Sequence, residues 1–214
     1  GLSCASVSIG TPSGTATIND DDAVEVSVTA PGAAAEDSSL VFTVSLDKAS
    51  DQIVTVDYTT TDGTATSAGD YTATSGTLTF NPGVISLPVS VYSNGDTVNE
   101  CDETFSLDLA NPTGLSCASV SIGDSSDTAT IIDDDAVQMS VTAPDAGAEA
   151  SSFVFTVTLD TASDQTVTVD YTTTDGSATS AGDYVAASGK LTFNPGVTSR
   201  MVLVATTGDT VNEC

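Results

Sequence analysis

Short runs in which apolar and polar residues alternate recur along the chain, separated by Gly, Pro, Asn and Asp. A period of two places successive side chains on opposite faces of a strand, so each run predicts a strand with one face on a core. Val24–Thr29, Leu40–Leu46, Ile53–Thr59, Gly76–Phe80, Ile85–Val91 and Thr104–Leu109 read this way. A seventh strand is broken into Cys117–Ile122 and Thr128–Ile131. Pro88 lies inside the fifth run, where a residue without an N–H predicts a sheet edge or a bulge. Asn81-Pro82-Gly83 closes the fourth: Pro presets one turn angle and Gly supplies the positive φ of the next. No run carries a helical period. The pattern predicts an all-β chain of antiparallel two-sheet sandwiches.

The pattern repeats. Gly1–Gly10 recurs letter for letter at Gly114–Gly123, and Cys4 and Cys101 each recur 113 residues later, as Cys117 and Cys214. Residues 23–101 match 136–214 at roughly three quarters of positions without a gap. A period of this length suits a whole domain, and the fold class is tandem immunoglobulin-like antiparallel β-sandwiches. In this frame one complete unit spans 23–135. Residues 1–22 are the terminal strand of a preceding unit, and 136–214 are the first part of a following one. The equivalent of Asp102–Thr113 is not in the second copy, so a neighbouring chain or further sequence is expected to complete it. The chain starts without Met and in mid-pattern, which reads as a mature segment or an excerpt.

Composition narrows the function. Three Lys+Arg against 30 Asp+Glu leave a formal net charge of −27. Nucleic acid and anionic membrane surfaces are disfavoured as partners, because phosphates need Lys and Arg. An atmosphere of cations is favoured. With no His there is no Ser–His–Asp or Cys–His machinery, and no Gly-rich phosphate loop is present. No Trp and 5% aromatic residues speak against a carbohydrate-stacking surface. No apolar stretch is long enough to span a bilayer, and no signal peptide is expected within the sequence. A non-enzymatic protein without membrane insertion is expected.

The run Ile131-Ile132-Asp133-Asp134-Asp135 closes one repeat and opens the next, with a near-copy at Ile18–Asp22. Adjacent carboxylates at a strand end repel unless a cation or water relieves them, and Ca²⁺ is the cation expected here. Tyr58–Tyr71, Gly76–Gly83, Asp102–Phe105, Asn111–Thr113 and Ala129–Asp135 together resemble the Calx-β domain family. That resemblance implies an immunoglobulin-like sandwich, often calcium-binding at one end. By the same resemblance the ligands are Glu36, Asp62, Asp96, Glu100, Asp133, Asp134 and Asp135. Their counterparts in the second unit are Glu149, Asp175, Asp209 and Glu213, and Asp20, Asp21 and Asp22 end the preceding unit. Asn94-Gly95 stand where the family is often richer in Asp, which implies one or two ions rather than four. Asp70, in Ala68-Gly69-Asp70-Tyr71, is expected to serve a turn or cap. The alternative for the acids is a solvated, salt-adapted surface.

Four Cys without His disfavour zinc and point to disulfides or, in a reducing cell, free thiols. Cys101 with Cys117 would staple neighbouring strands, worth about 3 kcal/mol for a loop of this size. Cys4 and Cys214 would then pair across unit boundaries, between copies stacked head to tail. Disulfides place the chain outside the cell or on its surface. Two functions follow. One is a structural calcium-binding repeat segment of an extracellular filament or long surface or adhesin protein, its joints stiffened by calcium and disulfides. The other is a calcium-sensing or ligand-binding adhesion module. High identity between presumed loops favours the first, since copies with separate binding roles should differ there.

Overall fold

The computed structural model describes residues 6, 10, 13–18, 22–114 and 119–210. Every regular element among them is a strand. In the first unit these are β1 (Val24–Thr29), β2 (Ala34–Ala35), β3 (Ser39–Leu46), β4 (Val54–Asp62) and β5 (Ser75–Phe80). They continue as β6 (Ser86–Tyr92), β7 (Glu103–Thr113), β8 (Val120–Ile122) and β9 (Ser126–Ile132). One sheet runs β6-β3-β1-β8 and the other β2-β9-β7-β4-β5, so the unit is a two-sheet sandwich.

The alternation does what it predicts. Val24, Val26 and Val28 of β1, and Leu40, Phe42, Val44 and Leu46 of β3, are buried while their neighbours face outward. From the facing sheet come Val54, Val56, Phe80, Phe105, Leu107, Ala129 and Ile131. Phe105 is the keystone. Its ring stacks on Tyr71 at 4.3 Å between centroids and meets Phe42 edge-on at 5.8 Å. Pro88 sits in β6, at a sheet edge and opposite Thr43, so its absent N–H leaves no ladder bond unmade. Gly83 has a φ of +84°, as its turn requires.

Two features lay outside the alternation. The seventh strand is not one interrupted strand, because its halves belong to opposite sheets. β8 pairs in parallel with β1 (Val24 with Val120), whereas β9 pairs antiparallel with β7 (Phe105 with Ala129). Gly123 sits at the crossing, where a Cβ would lie 2.3 Å from Glu25 Oε1. The first strand is divided in the same way, since β2 pairs in parallel with β9 (Ala34 with Ile131). In addition β7 runs to Thr113, past a register shift beside β4 where Asn111 takes a φ of +50°.

The second unit contains β10 (Met139–Thr142), β11 (Ser152–Leu159), β12 (Val167–Thr172), β13 (Ser188–Phe193) and β14 (Ser199–Ala205). They form a sheet β10-β11-β14 and a pair β12-β13 around Val157, Leu159, Phe193, Val202 and Val204. These match β1-β3-β6 and β4-β5 of the first unit.

Candidate metal centre

The pairing of β2 with β9 starts the site. Ala35 lies opposite Ile132, and Glu36 N donates to Ile132 O at 3.3 Å, which sets Glu36 beside the acidic triplet that follows β9. The β6–β7 loop then delivers Asp96. Its carboxylate accepts from Val98 N at 2.6 Å, and its own N donates to Glu36 Oε2 at 3.3 Å. Glu36, Asp96 and Asp135 each place a carboxylate oxygen within 4.8 Å of the others. A second group, Asp70, Glu100 and Glu103, meets the same criterion.

Hydrogen bonds relieve these acids in part, but no Lys or Arg does. Burial, then the charges of Asp133, Asp134 and Asp96, raise Asp135 above the usual carboxylate range. Glu36 and Glu100 are raised first by burial and then by neighbouring acids. Burial, with Asp70 beside it, pushes Glu103 to about 7. The chain's cations are elsewhere: Lys48 lies 3.9 Å from Asp47, Lys190 lies 3.9 Å from Asp170, and Arg200 Nε donates to Thr192 O. One atom is decisive. Asp135 Oδ2 is shielded from solvent and, among the described residues, has no hydrogen-bond donor. A carboxylate oxygen shielded from water and without a partner is unfavourable until a donor or a cation meets it. An all-oxygen set with one orphaned, shielded oxygen fits a hard divalent cation such as calcium.

The other expected ligands are placed differently. Asp134 is exposed. Asp133 Oδ2 accepts from Asn99 Nδ2 at 3.0 Å, and its N donates to Asp102 Oδ1 at 3.3 Å. Asp62 belongs to neither group: its Oδ1 accepts from Tyr71 OH at 2.5 Å and Ser67 N at 2.9 Å. Those bonds hold its carboxyl below the usual range. Tyr71 is pushed up to about 12 by burial and by Asp62. Gly63 follows because Thr104 O approaches so closely that a Cβ would lie 2.3 Å away. The Asp-Gly pair thus shapes a turn that braces Tyr71 against Phe105. Asp70 serves its expected turn, Oδ2 accepting from Thr66 N at 2.6 Å, and is also in the second acidic group.

The Calx-beta domain model matches residues 19–136 and 133–214, which together span nearly the whole chain. The chain belongs to the Calx-beta family. Among solved structures it is similar to the apo-form Calx CBD1 domain at 25% identity and a TM-score of 0.46, covering 52% of this chain and 98% of that one. It is also similar to CBD12 from CALX1.2, at 23% identity and a TM-score of 0.47 over 87% of this chain and 76% of that one. A sequence comparison with curated proteins returns no match.

In the second Calx-beta unit the Asp62 arrangement is repeated. Asp175 Oδ1 accepts from Tyr184 OH at 2.6 Å and Ser180 N at 2.8 Å. Asp209 N donates to Glu149 Oε2 at 3.4 Å, as Asp96 does to Glu36, but Glu149 is exposed. Asp22 is exposed; Asp20, Asp21 and Glu213 lie outside the described residues. So do Cys4, Cys117 and Cys214, the expected disulfide partners. Cys101 is exposed, with Gln165 Nε2 against its sulfur.

Glu103 and Asn99 were absent from the expected set. Glu103 lay in view, three residues after Glu100 and in the quoted Asp102–Phe105 motif. Asn99 had no signal of its own, because its role spans two units. Asn99 Nδ2 donates to Asp133 Oδ2 and, at 2.6 Å, to Asp135 O. Its N donates to Ala162 O at 3.0 Å, and its O and Oδ1 accept from Asp164 N and Ser163 Oγ at 3.1 Å. Ser163 is buried there. One side chain ties the acidic triplet to the next unit.

Proposed function

We propose that this tandem Calx-beta segment binds calcium at the end of its first unit that faces the second. The binding makes a stiff joint in a non-catalytic, extracellular or surface-displayed repeat protein. The observation that supports this reading is the orphaned Asp135 Oδ2 beside Glu36 and Asp96. Glu36, Asp96 and Asp135 would hold one ion, and Asp70, Glu100 and Glu103 supply carboxylates for a second. The ion would offset the mutual repulsion of the acids and fix the β2–β9 end of the sandwich to the β6–β7 loop. Copies stacked head to tail, with Cys101 and Cys117 bridged in an oxidising compartment, extend this to a filament or long adhesin.

The calcium-sensing reading has its own support in Asn99, which touches the triplet and the second unit at once. An ion at Asp135 would then bias the angle between units. Calorimetric titration of the chelator-stripped chain with calcium tests the shared premise: saturable binding supports it, and no heat at millimolar calcium sinks it. X-ray scattering with and without calcium separates the readings. A scaffold keeps one extended shape once loaded. A sensor changes its mean inter-unit angle across the binding range.

A further inference from the structure

The sequence holds one Asn-Gly pair, Asn94-Gly95, in the loop that carries Asp96 from β6 to the acidic group. Every other asparagine has a different successor. An acid follows Asn19, Asn99 and Asn212, and Pro, which has no N–H, follows Asn81, Asn111 and Asn194. Glycine has no Cβ to shield its nitrogen or to restrict the turn that brings that nitrogen onto the preceding side chain. The loop suits this approach. Before the pair the backbone is clamped: Ser93 is buried and its N donates to Ser38 O at 2.9 Å, and Asn94 N donates to Asp70 O at 2.9 Å. From there Asn94 and Gly95 are both exposed, and among the described residues no acceptor meets Gly95 N. The carboxamide is held by Nδ2, which donates to Gly69 O at 2.7 Å, while Thr72 Oγ1 donates to Oδ1 at 3.4 Å. A free glycine N–H thus follows an anchored carboxamide.

We propose that Asn94 is a self-modification site, converting to aspartate and isoaspartate and so ageing the acidic end of the first unit. Gly95 N gives its proton to solvent and attacks Asn94 Cγ. The new N–Cγ bond closes a five-membered imide as the Cγ–Nδ2 bond breaks and ammonia leaves. Water then opens the ring: breaking N–Cγ leaves aspartate, and breaking the original peptide bond leaves isoaspartate, with the chain routed through Cγ. The net reaction exchanges an amide and water for a carboxylate and ammonium, with no change of oxidation state. Each product adds a negative charge two residues before Asp96 and sets an oxygen against Gly69 O where a donor stood. Isoaspartate also lengthens the loop backbone by one methylene. The loop path holds Asp96, whose N donates to Glu36 Oε2 at 3.3 Å and whose Oδ1 accepts from Val98 N at 2.6 Å, so the convergence on Asp135 loosens. On the calcium reading above, on which this consequence alone rests, a bound ion fixes Asp96 and slows the attack, and isoaspartate weakens the ion. The second unit has Thr207 before Gly208 at the counterpart of the pair, and so no amide to lose there.

The test ages the full 214-residue chain in warm, mildly alkaline buffer, with chelator or with calcium, and follows each asparagine by peptide mass mapping. Asn94 should show the amide-to-acid mass gain ahead of every other asparagine, faster in chelator, with isoaspartate detected by enzymatic methylation of its carboxyl. Asn94→Thr, which installs the second unit's residue, should remove that gain. Calorimetry should then find calcium bound roughly tenfold more weakly by the aged chain than by the fresh one, whereas ageing leaves the affinity of the Asn94→Thr chain unchanged. An Asn94 that keeps its amide as long as Asn99 does overturns the proposal. Conversion at one rate in calcium and chelator, with equal affinity before and after, overturns its consequence for the acidic end. Conversion in a chain whose fresh form gives no calcium heat supports the modification site and sinks the calcium reading instead.

Discussion

The two units share most of their sequence but not their packing. Phe42 is fully buried and its counterpart Phe155 only half-buried; Ala65 is buried and Ala178 exposed. These residues keep their identities, so local preference cannot account for the contrast. What differs is the company. β7 and β9 bring Phe105, Leu107, Ala129 and Ile131 to the first unit. An alternating strand specifies which face turns inward; the facing sheet decides whether that face is dry. Acidic chemistry follows the same rule, since Glu36 closes on Asp135 only because β9 lies beside β2, while Glu149 stays exposed.

The sharpest way to break the comparison is to make the first unit resemble the second. Phe105→Ala removes the ring between Phe42 and Tyr71 and should cost the first unit about 3–5 kcal/mol. Denaturant unfolding followed by NMR should place the loss there and spare Phe193 and Val204 of the second. Next in size, Asp135→Asn removes the charge on the orphaned oxygen's carboxyl. Calcium affinity should fall roughly tenfold or more, about 1.4 kcal/mol, read by calorimetry. Glu149→Gln, at the second unit's counterpart of Glu36, should leave that site's affinity unaltered.

The raised carboxyls give a pH signature. Glu103 has a folded value of about 7 against 4.5 unfolded, so its contribution to calcium-free stability is complete below 4.5 and lost as pH rises through 7. In chelator the first unit should therefore melt higher at pH 5 than at pH 8. Calcium should reverse that order, because protons on Glu36, Glu100 and Glu103 compete with the ion. A melting point independent of pH with and without calcium would contradict it. Asn99→Ala should loosen the joint by about 1 kcal/mol, visible as a wider inter-unit distribution in scattering. Smallest of all, Tyr71→Phe keeps the stacked ring but deletes the bond to Asp62, whose carboxyl should titrate higher by NMR. Tyr184→Phe should do the same to Asp175.

Much of this was legible in the chain. The alternation marked the strands of the first unit, Pro88 announced an edge, and Gly83 announced its turn. The triplet marked an acidic end of the sandwich, and the carboxylates of Glu36, Asp96 and Asp135 converge there. Asp62 shows the limit: the same Asp-Gly letters serve a ligand or a turn, and its bonds to Tyr71 and Ser67 distinguish them only in three dimensions.

Periodicity and turn chemistry are local, so the sequence by itself determined the strands, their inward faces, the repeat and the acidic end. The tertiary structure alone decided that the first and last strands each divide between two sheets, since partner choice is made by packing. It also decided that Glu103 joins Asp70 and Glu100, and that Asn99 reaches from the triplet to the next unit. Such contacts join residues far apart in sequence, and no alternation of letters encodes them. Burial belongs with them, because Val28 and Phe42 are dry only where β7 and β9 face them.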